Sequence, residues 1–449
     1  MFDIKCKTIK NGLNSRKGFS SKMGFTISCI GSAVGMGNIW LFPYRVGQFG
    51  GAAFLIPYII FTILIGLTGV IGEITLGRSM QSGPLEAFSK AIESRGWNKK
   101  IGEFLSFIPI IGSLILAIGY SVVVGWIIKF VCGSITGSAI YLDEPDKYFS
   151  TFTFSMSSFI FQILALILVF IILAFGVTNG IEKFNKVLMP LFFLLFIVLA
   201  LRVAFLSNSW TGYRYLFVSD WSSLFNFKTW IYALGQAFFS LSLAGNGTLV
   251  YGSYMKKDSD IPSCAKYIAA FDLIAALLSS LVIIPAVFAF SLDPNHGPPL
   301  MFITMPQIFK NMWGGQVFMI VFFIAVLFAA LTSLINLFET PIETLQTHFR
   351  FKRTSAVMLI ALLSMIIGFF VRGFLSQCMD ICTVYICPLG ALLAAIMFFW
   401  VCDKDFIRTN VDMGAKHKIG NWFEPMGKYI FCGITIFVFI IGVFYGNIG

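Results

Sequence analysis

Two stretches place small residues and polar side chains in the middle of otherwise apolar segments. They are Gly31-Ser32-Ala33-Val34-Gly35-Met36-Gly37-Asn38 and Ser240-Leu241-Ser242-Leu243-Ala244-Gly245-Asn246-Gly247. A glycine costs about 1 kcal/mol relative to alanine inside a helix, and clustered glycines let the backbone leave helical geometry. Within a membrane, the N–H and C=O groups so freed are tolerable only where they line a cavity or find partners. Freed amides at a half-helix N-terminus attract an anion and freed carbonyls hold a cation, so a zwitterion with a small cation is the matching ligand set. Small residues also serve close helix packing. Their placement favours the site: the two interrupted segments are first and sixth among the apolar segments, corresponding members of two sets of five, as at a transporter's midplane site.

A second candidate for ion chemistry is Asp272, inside the apolar window 264–291. A carboxylate within a span is costly and usually functional; it either holds an ion or sits high enough to meet cytoplasmic water. The other chemically versatile residues are less productive. The nine cysteines (6, 29, 132, 264, 378, 382, 387, 402, 432) include no CxxC pair and read as small apolar fillers. His296, His348 and His417 all fall in loops, so no base stands beside a nucleophile at membrane depth, and neither catalytic residues nor an organic cofactor is expected.

The elements that must position these groups follow from composition. Of 449 residues, 57% are hydrophobic and only 12% charged, with a mean hydropathy of +0.85. Soluble domains carry about 25% charge, so this chain is solvated by lipid. Apolar windows at about 23–47, 52–77, 104–132, 156–175, 184–206, 229–252, 264–291, 313–343, 354–372, 379–401 and 429–446 predict an all-α polytopic membrane protein with about eleven transmembrane helices. The first window is not a cleaved signal, being long and running into the glycine-rich stretch. With the N-terminus in the cytoplasm, twenty-four of the 32 lysines and arginines fall on inside segments, the bias of an inner or plasma membrane protein. The net charge of +11 is therefore a topology signal. Scattered over six segments, it does not form a nucleic-acid face. An odd number of crossings puts Gly449 outside. An ion channel is the competing class, but it would want rings of like charge or a symmetric filter, and neither is visible.

Several motifs then become recognisable. "GSAVGMGNIWLFP" (31–43), "GGAAFLIPY" (50–58), "GEITLGR" (72–78), "NGIEKFNKVLMP" (179–190), "GQAFFSLSLAGNG" (235–247) and "FAALTSLINLFETP" (328–341) closely resemble the neurotransmitter:sodium symporter family. The resemblance runs from about residue 16 to 402, and eleven helices match its bacterial branch. It implies the family's 5+5 inverted repeat with unwound helices 1 and 6. The organisation expected is a cytoplasmic tail (1–21), a first five-helix repeat (22–206), a second inverted repeat (228–402), and a cytoplasmic loop with the eleventh helix (403–449).

By the same resemblance two sodium ions are expected. One would be held by the carbonyls of Gly31, Val34 and Ala329 with the hydroxyls of Thr332 and Ser333, although those two hydroxyls can also bond back to their own helix. The other would take the Ala33 carbonyl, the Asn38 side-chain oxygen, Ser240, Asp272 and the substrate carboxylate. Asp272 stands where many members have Asn, and Ala276 where chloride-dependent members have a chloride-binding serine, so transport is expected to be chloride-independent. The substrate carboxylate would meet the amides near Met36 and Gly37 and the Tyr120 hydroxyl. Its ammonium would meet the carbonyls of Ala33, Phe239 and Ser240 and the Ser242 hydroxyl. Leu116, Tyr120, Phe239, Ser242, Gly245, Ser333 and Leu337 would line a side-chain pocket without charge. Gly245 replaces a bulky residue of several relatives and is expected to open volume. Gly35 stands where monoamine carriers have Asp.

These residues imply sodium-coupled import of a neutral amino acid, with a hydrophobic or aromatic side chain; a carrier of another small amine or osmolyte is the alternative within the family. The family's gate arginine is replaced by Leu41, so Arg45, one turn on, either substitutes for it by pairing with Asp380 outside or is an exposed arginine at the helix end. Arg16 and Phe19 match the family's inner latch, but Thr347 stands where its partner Asp is expected, so the latch lacks its acid. Glu73 is expected to brace the unwound part of helix 6, and Gln236 and Glu339 to have structural roles.

Overall fold

The computed structural model describes residues 18–140, 144–218, 221–290, 300–371 and 374–445. Its long elements are helices, because only a helix satisfies a lone segment's backbone inside lipid. In chain order they are α1 (Lys22–Ala33), α2 (Gly37–Gln48), α3 (Ala52–Met80), α4 (Pro84–Ser94), α5 (Lys99–Thr136), α6 (Met156–Ala174), α7 (Val177–Ala204), α8 (Phe227–Ser240), α9 (Gly247–Ser253), α10 (Ile261–Ala289), α11 (Gly315–Thr347), α12 (Arg353–Val371), α13 (Gln377–Val401) and α14 (Phe423–Phe444). Among the described residues, nine unbroken helices are long and apolar enough to cross a membrane, and α1 with α2, bent by 49°, makes a tenth. The remaining expected crossing, 229–252, is α8 and α9, separated by residues 241–246.

Burial separates an inner from an outer set. In α5 and α11 about seven residues in ten of the most apolar window are buried (72% and 67%), whereas in α12 the figure is 28%. The two inner helices pack on each other, and the broken helices lie against them. Outer helices show lipid large apolar side chains such as Leu201 on α7 and Phe370 on α12, as a membrane surface requires.

Both glycine-rich stretches break their helices, but the glycines do so by permitting close approach. None of Gly31, Gly35, Gly37, Gly245 or Gly247 has a positive φ; the left-handed residues in the second break are Ser242 (φ 56°) and Asn246 (φ 51°). Each is held there by a side-chain bond: Ser242 Oγ donates to the Ser32 carbonyl (2.6 Å) and Asn246 Nδ2 to Glu73 (2.9 Å). Short polar side chains with local partners tolerate this region better than others. A Cβ on Gly247 would lie 1.8 Å from Asn336 Oδ1, so packing demands glycine there.

Candidate functional site

α1 ends at Ala33 and its next residue, Val34, is extended (ψ 102°), so successive carbonyls turn outward. Ser333 Oγ on α11 lies 3.3 Å from the Gly31 carbonyl oxygen, 3.1 Å from that of Ser32 and 3.3 Å from that of Val34. One hydroxyl proton cannot satisfy three acceptors, so electronegative oxygens converge there without a full set of donors. Thr332 Oγ1 donates within its own helix, to the carbonyls of Ala329 (2.9 Å) and Phe328 (3.2 Å), leaving its lone pairs available. The five oxygen sources expected for one sodium thus come from α1, the break after it and one face of α11.

The second constellation centres on Asp272, which is fully buried and therefore does not meet cytoplasmic water. Ser240 Oγ donates to its Oδ1 (2.7 Å) and Tyr58 Oη to its Oδ2 (3.2 Å). Asn38 departs from expectation. Its amide nitrogen faces Asp272 Oδ1 (2.8 Å) and Ser240 Oγ (2.9 Å), while its oxygen accepts from the Gly35 amide (3.0 Å). A buried carboxylate gathers every donor within reach, and the broken helix offers an unpaired N–H for the oxygen. Sequence reasoning missed Tyr58, although it closes the "GGAAFLIPY" motif.

Between the breaks lies a narrow cavity of about 40 Å³. Its lining consists of the twelve residues expected around a substrate, together with Ser32, and among the described residues no charged side chain borders it. At one end the Met36 amide donates to Tyr120 Oη (2.9 Å), so two groups expected to share a carboxylate face each other. A side chain at position 35 has no room, since a Cβ would lie 2.5 Å from Ser333 Oγ and 3.0 Å from Tyr120 Oη. Gly245 does not open volume. A Cβ there would lie 2.9 Å from Ser113 Oγ, and Ser113 is fixed by its bond to the Leu337 carbonyl (2.7 Å), so α5 has taken the space.

Around the cavity, Glu73 accepts from Asn246 Nδ2 and from the Thr248 hydroxyl, on either side of the start of α9. Gln236 Nε2 donates to the Gly37 carbonyl (2.8 Å), tying α8 to α2. Glu339 is bridged at both oxygens by Arg353 (2.8 Å each) and accepts from Tyr254 Oη (2.7 Å), a buried structural pair. Arg45 does not pair with Asp380. It is mostly buried, donates to Gln48 (3.1 Å) and lies 4.3 Å above the Tyr232 ring, because the nearest partners one turn above Leu41 are aromatic. Phe19 is buried against Phe25, Tyr251 and Tyr254. Arg16 lies outside the described residues, and Thr347 bonds back to Glu343 within its own helix.

The profile of the sodium:neurotransmitter symporter family matches residues 16–151 and 155–447. An uncharacterized sodium-dependent transporter of Bacillus subtilis is 35% identical over 354 residues, covering 78% of this chain and 77% of its own. Another, from Methanocaldococcus jannaschii, is 30% identical over 444 residues, covering 92% and 88%. The sodium-dependent neutral amino acid transporter B(0)AT2 of Bos taurus is 23% identical over 301 residues, covering 60% and 40%. Among solved structures, the crystal structure of MhsT in complex with L-phenylalanine superposes with a TM-score of 0.84 at 31% identity, covering 95% of this chain and 99% of that one.

Proposed function

The chain belongs to the sodium:neurotransmitter symporter family, a family of sodium-dependent transporters, and we propose that it imports a neutral amino acid with a hydrophobic or aromatic side chain, without chloride. The observation that carries the reading is the uncharged cavity between two helix breaks, with the freed Met36 amide at one end and the α1 carbonyls beside it. Amide dipoles suit a carboxylate, carbonyls suit an ammonium or a sodium ion, and an apolar wall excludes a charged side chain. The phenylalanine bound to MhsT supports the aromatic end of this range.

In this reading one sodium sits among Gly31, Val34, Ala329, Thr332 and Ser333. The other sits at Ala33, Ser240 and Asp272, with the Asn38 amide turned over so that its oxygen faces the ion, and is completed by the substrate carboxylate. Shared coordination makes sodium and substrate raise each other's affinity by the same factor, which couples them. Each sodium moving inward gains about 2.3 kcal/mol per 100 mV. Asp272 supplies the negative charge that chloride gives other members. Gly35 speaks against a monoamine, whose carriers have Asp there. The cavity has room for little more than a few waters, so α1, α2, α3 and α8 to α10 must part from α5, α7 and α11 to admit substrate.

Proteoliposome uptake of twenty radiolabelled amino acids, with sodium or potassium outside, tests the proposal. Sodium-dependent accumulation of large apolar amino acids is expected, unchanged when gluconate replaces chloride. Accumulation indifferent to sodium defeats the main reading; a fall to baseline in gluconate defeats chloride independence.

A further inference from the structure

Asn185 on α7 is fully buried, yet its side-chain oxygen has no hydrogen-bond partner among the described residues. Its orientation is not arbitrary. The amide nitrogen donates to the Ile181 carbonyl (2.8 Å), and turning the amide over would set oxygen against oxygen. The oxygen is therefore directed to α1 at Gly31, where a Cβ would stand 2.1 Å from it and 3.2 Å from Thr332 Cβ. Gly31 thus lies with Asn185 and Thr332 on one side, and its own carbonyl belongs to the group converging near Ser333. A neutral oxygen buried without a donor costs about 1–3 kcal/mol. A cation at the neighbouring cage offsets that cost, whereas none of the described residues does.

Asn185 also lies toward the tail. Three residues earlier on α7, Glu182 accepts from the Ser20 amide (2.7 Å), the Ser20 hydroxyl (2.5 Å) and Lys186 (2.6 Å), next to the start of α1. We propose that the Asn185 carbonyl oxygen is an additional sodium ligand at the cage of Gly31, Val34, Ala329, Thr332 and Ser333, met on its tail-facing side. The assignment rests on the sodium reading above and adds a residue to it.

Binding of radioactive sodium to the purified full-length protein tests it without any amino acid. Asn185→Leu removes the oxygen at similar volume and is expected to weaken sodium binding about three- to tenfold. Its melting temperature should equal or exceed wild type, since an unsatisfied polar group has gone. Asn185→Asp keeps an oxygen and adds charge, and should bind sodium at least as tightly as wild type. Asn185→Ala serves as the second variant, with weakening like that of Leu. Sodium affinity within about twofold of wild type in both the Leu and Ala variants overturns the assignment. Absence of sodium binding by the wild type overturns it together with the sodium reading. Intact wild-type sodium binding without amino-acid uptake in the panel counts against the substrate reading alone.

Discussion

Asp272 concentrates three donors, from Asn38, Ser240 and Tyr58, on one buried carboxylate. The sequence made it conspicuous because charge is scarce, but the arrangement of donors depends on α2, α3 and α8 meeting α10. Asp272→Asn should raise the sodium concentration for half-maximal uptake by about tenfold or more, roughly 1.4 kcal/mol or above, with the protein still folded; an unchanged sodium curve counts against its role. Gly245 shows the opposite balance. Its small size invited a larger pocket, and only the structure shows Ser113 already there. Gly245→Ala should therefore reduce uptake, and Ser113→Gly in the same chain should recover a large part of the loss. A double-mutant cycle measures the coupling, and strict additivity would exclude steric conflict.

Element placement was largely legible, since apolar windows of membrane length have few alternatives, whereas the ends of elements depend on local bonds. α10 illustrates this. Asp260 caps it, accepting from the Ser263 amide (3.0 Å) and hydroxyl (2.6 Å), and also from the Lys416 amide (3.3 Å) of a distant loop. Burial pushes the Asp260 carboxyl up, but the Ser263 and Lys416 bonds and nearby Lys22 outweigh it and hold it below its ordinary value. A depressed folded-state pKa contributes stability that is present above about pH 4 and lost as pH falls through the folded value. Asp260→Ala should lower stability by about 1 kcal/mol at neutral pH. The difference from wild type should shrink below pH 4, as read by thermal unfolding in detergent; a gap that stays constant would exclude the ionised cap. The breaks themselves were anticipated from their glycines, yet Ser242 and Asn246 take the left-handed backbone, because Ser32 and Glu73 stand ready to bind their side chains.

For the whole molecule, the excess of basic residues predicts that the amino-terminal side faces the cytoplasm. A cysteine at Lys100 should then react with an impermeant maleimide only from the cytoplasmic face and one at Lys147 only from outside, above the background of exposed Cys132. Labelling of both from one face would reject the orientation. Sequence alone determined the membrane class, the crossings, the two breaks and the family, because hydropathy, helix length and glycine clusters act locally and a bilayer permits few solutions. The tertiary structure decided what those elements bring together. It turned the Asn38 amide toward Asp272, filled the space beside Gly245, set Arg45 on Tyr232 instead of Asp380, and aimed Asn185 at Gly31. Each of these is set by the side chain of a different helix, and neither spacing nor composition along one segment specifies which neighbour will arrive there.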